Sequence, residues 1–377
     1  MSTKKQRKIL QIITKSNWGG AQKYVYELSK ELKKNNENVS VVCGGDGPLV
    51  QKLKQADIDV IRINKLGRNI NLFKDISVFF ELIKIIKKEK PGTIHLHSSK
   101  IGAIGALAGR ICRVQKVIFT IHGLAFNENR GLLAKIIIKK IYWCTIVFSH
   151  KTIAVSENLK SQLFKGWIFG NLFKIVKKKI IVIQNEIKKI DFMTSKESRE
   201  KISKLIKLDL ENKKIIGSLA ELHHIKGLKY LISAAAKIHE KDSNCIFVVF
   251  GEGEERKRLE KQITEHGLGN KFFLLGFQNN ASSYLTGFDV FVLPSLSEGL
   301  ALSVLEAKQA QIPIICTEVG GLPKALENYE NHEIIEPENS QQLLESIQRM
   351  IKIENEFKTD NDSNYDEMYK TVTSLYN

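Results

Sequence analysis

The stretch FDVFVLPSLSEGLALSVLEAKQA, residues 288–310, reads as a single unit in three parts. FDVFVLPS is a buried strand, LSEG a loop and LALSVLEAKQA a helix. Two carboxylates stand in unexpected places within it. Glu298 lies in the Ser/Gly loop at the mouth of the helix. Glu306 lies eight residues on, in a row of otherwise apolar residues. A carboxylate among leucine and valine must find a polar partner, or its burial is costly. A ribose diol is a suitable one, because a carboxylate can accept two O–H bonds. A phosphate would lie between the two carboxylates at the helix N-terminus, held by the N–H groups of Gly299 and Leu300. For an isolated E-x7-E the ordinary alternative is a helix-face glutamate satisfied by a neighbour.

The same strand–loop–helix unit recurs along the chain. KILQIIT, VSVVC, DVIRI, TIHLHSS, KVIFTIHG and KTIAVS read as strands, and helical patterns such as GGAQKYVYELSKELKKNN lie between several of them. This alternation predicts an α/β fold with a parallel, doubly wound sheet. The rhythm restarts near Ile190 with KIIGSLA, CIFVVFGEG, FFLLGF, VFVLPS and IPIICTE. Two Rossmann-like domains are therefore expected, 1–188 and 189–365, with NEIKKIDF as the linker. EMYKTVTSLYN, within 366–377, reads as a final helix packing back on the first domain. Ligands of such sheets sit outside the carboxyl ends of the strands, here in a cleft expected between the domains.

With 377 residues, 43% hydrophobic and 26% charged, the composition is that of a globular protein. The net charge of +17 is unevenly placed. Residues 1–190 hold 36 Lys and Arg against 12 Asp and Glu, a net +24, whereas residues 191–377 hold 22 against 29, a net −7. Halves of opposite sign predict different partners, and the basic half suits nucleic acid, anionic lipid or a phosphorylated substrate. Five scattered cysteines point to reduced thiols in a cytosol. Neither a signal peptide nor a membrane-spanning run is recognisable.

Other candidate residues also follow strands. Gly19 and Gly20 stand where backbone can approach a ligand before a helix N-terminus, although the spacing is not GxGxxG. His122, just past a strand and before Gly123, is placed either to point into the cleft or to serve as a hydrogen-bonded structural histidine. His95 and His97 share one strand face, and a structural role suits them better than metal ligation. Lys226, before Gly227 and an amphipathic helix, can neutralise phosphate charge. LFKGWIFGNLFKIVKKK, Leu163–Lys179, carries an amphipathic basic pattern with aromatic residues on its apolar side, which predicts either a core-packed helix with a solvated lysine face or, with the basic half around it, peripheral docking of the first domain on anionic membrane.

Taken together, GGAQKYVYELSKEL, IHLHSSKIGAIGALAGR, VIFTIHG, IKGLKYLI, FVVFGEGEER, FDVFVLPSLSEGLALSVLEA and IPIICTEVGGLP resemble a family 4 retaining glycosyltransferase of GT-B fold. The resemblance implies transfer of a sugar from a nucleotide diphosphate, by default UDP-hexose or UDP-N-acetylhexosamine. The implied acceptor is a glycan or a polyprenyl-diphosphate-linked species in cell-surface polysaccharide synthesis, at the inner face of the membrane. No cofactor beyond the nucleotide sugar, no nucleic acid and no metal are implied. Asp57-Ile58-Asp59 has DxD spacing but lies in an expected helix-to-strand turn. By resemblance, Glu298 and His122 contact the donor sugar, Glu306 the ribose, Lys226 the diphosphate, and Gly19 and Gly20 the phosphate and acceptor. Two positions depart from the pattern: Glu221 replaces an arginine five residues before the lysine, and Asn185-Glu186 replaces Asn-Gly. His223 or His224 is the nearby cation that could stand in for the arginine. The competing readings are a GT-B epimerase or phosphorylase, or a non-catalytic carbohydrate-binding module.

Overall fold

The computed structural model describes residues 7–67, 71–127, 131–165, 176–240, 244–353 and 363–376. The chain divides into two compact units. Unit 1 is Met1–Asn185 with Asp366–Asn377, and unit 2 is Glu186–Tyr365.

Unit 1 is built on β1 (Ile9–Lys15), β2 (Val39–Gly44), β3 (Asp59–Arg62), β4 (Thr93–Leu96), β5 (Lys116–Ile121), β6 (Lys151–Ala154) and β7 (Ile180–Val182). They form one sheet in the order β3-β2-β1-β4-β5-β6-β7, and every neighbouring pair is parallel. Unit 2 is built on β8 (Lys214–Leu219), β9 (Cys245–Phe250), β10 (Phe272–Leu274), β11 (Val290–Leu293), β12 (Ile314–Thr317) and β13 (His332–Ile335). Its all-parallel order is β10-β9-β8-β11-β12-β13. The central strands are near-continuous apolar runs because helices cover both faces of a parallel sheet. All six residues of CIFVVF in β9 are buried, for example. The strand order reverses between β1 and β4 in unit 1 and between β8 and β11 in unit 2. Such reversals open a crevice at the carboxyl ends of the strands.

Local chemistry sets the helix limits. Helix Gly20–Lys34 buries Tyr24, Val25, Leu28 and Leu32, a three- and four-residue spacing that makes one apolar face. In unit 2, Thr194 and Glu197 form a capping box that starts helix Ser195–Ile206. The final helix, Tyr365–Ser374, packs on unit 1, where Asn35 donates to the Tyr369 hydroxyl at 3.2 Å.

Three details differ from expectation. β7 and β13 were not predicted as strands; each is short, and the residues of β13 before Ile335 are only half-buried, so their apolar signal is weak. The helix after β11 begins at Leu302 rather than Leu300, because Ala301 keeps extended backbone (ψ 120°). The basic amphipathic pattern does not begin a helix at Leu163. That residue and Phe164 close the helix Glu157–Phe164, and Lys165 leaves helical geometry at ψ 120°. Residues 166–175 of the pattern, with Trp167, lie outside the described residues.

Candidate active site

In unit 2 the candidate residues gather on loops at the carboxyl ends of β8, β11 and β12. The loop after β8 turns through a short 3-10 segment, His224–Lys226, into Gly227. Gly227 has φ +64°, and a Cβ there would lie 1.9 Å from the Pro294 carbonyl oxygen. Glycine is required twice over, for the left-handed backbone and for the close approach. That approach docks the β8 loop on the β11 loop, and the Leu296 N–H donates to Ile225 O at 2.7 Å. Lys226 Nζ then reaches Glu298 Oε1 at 2.5 Å, with side-chain exposures of 19% and 9%. The ion pair bridges the crevice where the strand order reverses.

Glu298 is also held from behind. The Ser295 hydroxyl donates to the same Oε1 at 2.7 Å, and Thr317 from β12 donates to Ser295 O at 2.5 Å. The Gly321 N–H donates to Gly299 O at 2.7 Å, and a Cβ on Gly320 (φ +58°) would lie 2.2 Å from Glu298 O. Glu306 is buried on helix Leu302–Gln309, at 6% exposure among Leu302, Val304, Leu305 and Ala307. Gly299 and Leu300 are both buried. With the helix starting at Leu302, their N–H groups belong to the preceding loop and not to the first helical turn.

The loop after β8 also holds Glu221, one of the two departures from the expected pattern, with His223 and His224 beside it. His223, His224 and Glu254 bring ligand-type atoms within 4.8 Å of one another. His223 Nδ1 accepts from the Ile225 N–H at 3.3 Å, which places its proton on Nε2, 3.2 Å from Glu254 Oε1. In this arrangement His223 donates to a carboxylate. Glu221 occupies the arginine position, half-buried, with its carbonyl accepting from the His223 N–H at 2.7 Å.

In unit 1, Gly19 is the extended N-cap of helix Gly20–Lys34 (φ −157°), and its carbonyl accepts from the Lys23 N–H at 2.9 Å. Glycine there contributes the lack of a side chain and not an unusual φ. His122 follows β5 and is half-buried. Its ring lies edge-on to Tyr24, centroids 4.9 Å apart, and its Nε2 is 3.3 Å from His97 Nδ1. Burial pushes the His122 pKa down to about 3, so the imidazole is neutral at neutral pH. His95 and His97 are fully buried and hydrogen-bonded within the protein. Asp57, at φ +54°, turns the chain into β3 and pairs with Lys33 at 2.5 Å.

Comparison with known proteins identifies the family. Residues 18–186 match the model of Glycosyltransferase Family 4, and residues 198–366 match Glycosyl transferases group 1. The chain belongs to glycosyltransferase family 4. An Escherichia coli relative, UDP-Gal:alpha-D-GlcNAc-diphosphoundecaprenol alpha-1,3-galactosyltransferase, is 28% identical over 93% of this chain and 89% of its own. A Campylobacter jejuni relative, N,N'-diacetylbacillosaminyl-diphospho-undecaprenol alpha-1,3-N-acetylgalactosaminyltransferase, is 26% identical over 89% of this chain and 88% of its own. The crystal structure of Anabaena Alr3699/HepE in complex with UDP and glucose matches the fold with a TM-score of 0.75 at 19% identity, covering 98% of this chain and 97% of that one. This family 4 enzyme thus has the GT-B architecture of two Rossmann-like units.

The sequence pointed to Lys226 and Glu298 separately, as ligands of different groups, and the structure brings them into direct contact. Ser295 and Thr317, which hold Glu298, went unnoticed. Their signal is faint: each is a single polar residue at the end of an apolar strand.

Proposed function

We propose that this glycosyltransferase is a retaining, metal-independent enzyme. It moves a hexose or N-acetylhexosamine from UDP to a polyprenyl-diphosphate-linked acceptor at the inner membrane face, in cell-surface polysaccharide synthesis. The observation that carries the reading is the Lys226–Glu298 pair across the β8/β11 crevice, with Glu306 buried on the adjoining helix. A cation beside two carboxylates suits a diphosphate flanked by two sugars. The names of the two relatives support the substrate class, one with a UDP-galactose donor and both with diphosphoundecaprenol acceptors.

The chemistry follows from these groups. Breaking the sugar–phosphate bond leaves positive character on the anomeric carbon and an extra charge on the departing diphosphate. Lys226 and the N–H groups of Gly299 and Leu300 stabilise that diphosphate. Glu306 accepts from the ribose hydroxyls, and Glu298 accepts from a hydroxyl of the donor sugar. His122, kept neutral, contributes a hydrogen bond to the same sugar, and the Gly19–Gly20 turn leaves room for phosphate and acceptor. The acceptor hydroxyl attacks the face from which the diphosphate departs and gives its proton to the departing phosphate oxygen, which retains configuration. The test is turnover of a panel of nucleotide sugars. Slow UDP release without acceptor is expected, with marked acceleration by a polyprenyl-diphosphate sugar. If that acceptor accelerates nothing while a soluble glycan does, the lipid-linked assignment is wrong.

The membrane contact draws on unit 1. Helix Leu72–Glu89 exposes Leu72, Phe73, Ile76 and Phe80, with Phe73 at 85%, and helix Leu132–Phe148 exposes Leu132, Leu133, Ile136 and Ile137. Lys74, Lys135, Lys139 and Lys140 lie among them. An open groove of about 1180 Å³ beside the second helix is lined by Phe126, Leu132, Ile136, Lys135, Lys139 and Lys160, a mixture that suits an amphiphile bearing phosphate. No helix among the described residues is long and apolar enough to cross a membrane. Apolar side chains beside lysines suit peripheral docking on an anionic leaflet instead. Co-sedimentation with vesicles is expected to need anionic lipid, to fall with salt, and to drop when Phe73 and Leu133 become serine. Equal binding to neutral vesicles would remove the membrane contact.

A further inference from the structure

Unit 1 buries a row of polar side chains on one face of its sheet. Gln11 of β1 and His95 of β4 are register partners, and His95 is in turn the partner of Ile118 in β5. Side chains alternate faces along a strand, so His97 lies on the same face as His95, and Thr120 and His122 lie on that of Ile118. Gln11, His95, His97 and Thr120 are each at most 1% exposed. Their strand neighbours Ile12, Ile94 and Leu96 are apolar, and apolar side chains would have filled this layer without desolvating a polar group.

The row is joined into one directional chain that reaches the C-terminal segment. Gln11 Nε2 donates to the Tyr376 hydroxyl at 3.2 Å, and we assign the tyrosine's own proton to His95 Nδ1 at 2.7 Å. His95 then carries its proton on Nε2 and donates to Thr120 Oγ1 at 2.7 Å. On the other side, Gln11 Oε1 accepts from His97 Nε2 at 2.6 Å, which leaves His97 Nδ1 bare. His97 Nδ1 therefore accepts from His122 Nε2, and His122 is left with a lone pair on Nδ1. Tyr376 is itself anchored, since Thr93 Oγ1 donates to its carbonyl at 3.3 Å. Reversing the Gln11 amide would reverse the chain and move the His122 proton from Nε2 to Nδ1. An imidazole nitrogen accepts in one state and donates in the other.

We propose that Tyr376, Gln11 and His97 are positioning residues for His122: their chain sets which imidazole nitrogen carries the proton, and makes the C-terminal segment part of the catalytic apparatus. The inference rests on the assignment of His122 to the donor sugar. The titratable groups facing the chain are Tyr24 from helix Gly20–Lys34, His95, His97, His122 and Tyr376. Burial holds all three imidazoles in the neutral form, so the wild-type rate is expected to show no histidine limb near neutral pH.

Two variants test it. Tyr376→Phe keeps the ring and removes the link. It is expected to lower kcat about tenfold, the effect of one well-placed hydrogen bond, with donor KM within about twofold. Gln11→Glu places a carboxylate against His97, which raises the His97 pKa and favours a doubly protonated ring. That ring donates from Nδ1 and forces the proton of His122 onto Nδ1. Turnover of Gln11→Glu is expected to fall by about fivefold or more from about pH 8 to pH 6, a limb the wild type lacks. Ring ¹⁵N spectra read the His122 tautomer directly in the full chain without substrate: Nε2–H in the wild type, Nδ1–H in Gln11→Glu at low pH. An unchanged His122 tautomer in folded Gln11→Glu overturns the proposal whatever the enzyme's substrates prove to be. So does a pH profile identical to wild type. Failure of the wild type to transfer any sugar would instead sink the functional reading and leave the tautomer result standing.

Discussion

Lys226→Ala is expected to lower kcat/KM for the nucleotide sugar by about 30- to 1,000-fold, the equivalent of about 2–4 kcal/mol of lost transition-state stabilisation. Three features place the effect toward the upper end. Lys226 stands in a crevice walled by docked loops, at 19% side-chain exposure, where a charge is less screened than in water. Glu221 occupies the position where the family resemblance implies an arginine, so less of the diphosphate charge is met by other side chains. His223 is engaged with Glu254 and Ile225 N–H, which removes it from that task. The substitution also strips Glu298 of its cation, and an unpaired carboxylate at 9% exposure costs stability in its own right. Thermal unfolding followed by circular dichroism separates that loss from the catalytic one. A folded Lys226→Ala enzyme turning over at the wild-type rate would remove Lys226 from the leaving-group site.

How much of this was legible before the fold was known depended on distance along the chain. Apart from β7 and β13, the strands of both sheets announce themselves as short apolar runs, and the loops at their carboxyl ends carry Gly19, His122, Lys226 and Glu298. These signals are local, because period and punctuation are properties of a few neighbouring residues. Glu306 was legible for the same reason, as a charge in an apolar row. The Lys226–Glu298 contact was not, since it joins residues 72 apart and depends on Gly227 fitting under Pro294 O. Gln11 and Tyr376 lie 365 residues apart. Gln11 did leave one clue of the kind that exposed Glu306, a polar residue inside the apolar run KILQIIT. Tyr376 left none, because a tyrosine near the end of an amphipathic helix is commonplace.

Glu298→Gln is expected to separate donor binding from turnover. Glutamine keeps the shape of the side chain, and its carbonyl can still accept from the Ser295 hydroxyl that holds Oε1 at 2.7 Å. What disappears is the negative charge 2.5 Å from Lys226 Nζ. The lysine charge is then uncompensated, and a diphosphate meets a stronger field. UDP is therefore expected to bind as tightly as to wild type or up to about tenfold more tightly. Turnover should move the other way. A carboxylate accepting from a sugar hydroxyl supports the positive character that develops as the glycosyl bond breaks, and a neutral amide does so less well. A fall in kcat of about 100-fold is expected, because an interaction that strengthens in the transition state shows in kcat and not in affinity. Calorimetric titration with UDP and steady-state kinetics with the nucleotide sugar check the two halves independently. If UDP affinity falls in parallel with kcat, Glu298 holds the nucleotide and not the transferred sugar, and the roles of the two glutamates must be exchanged.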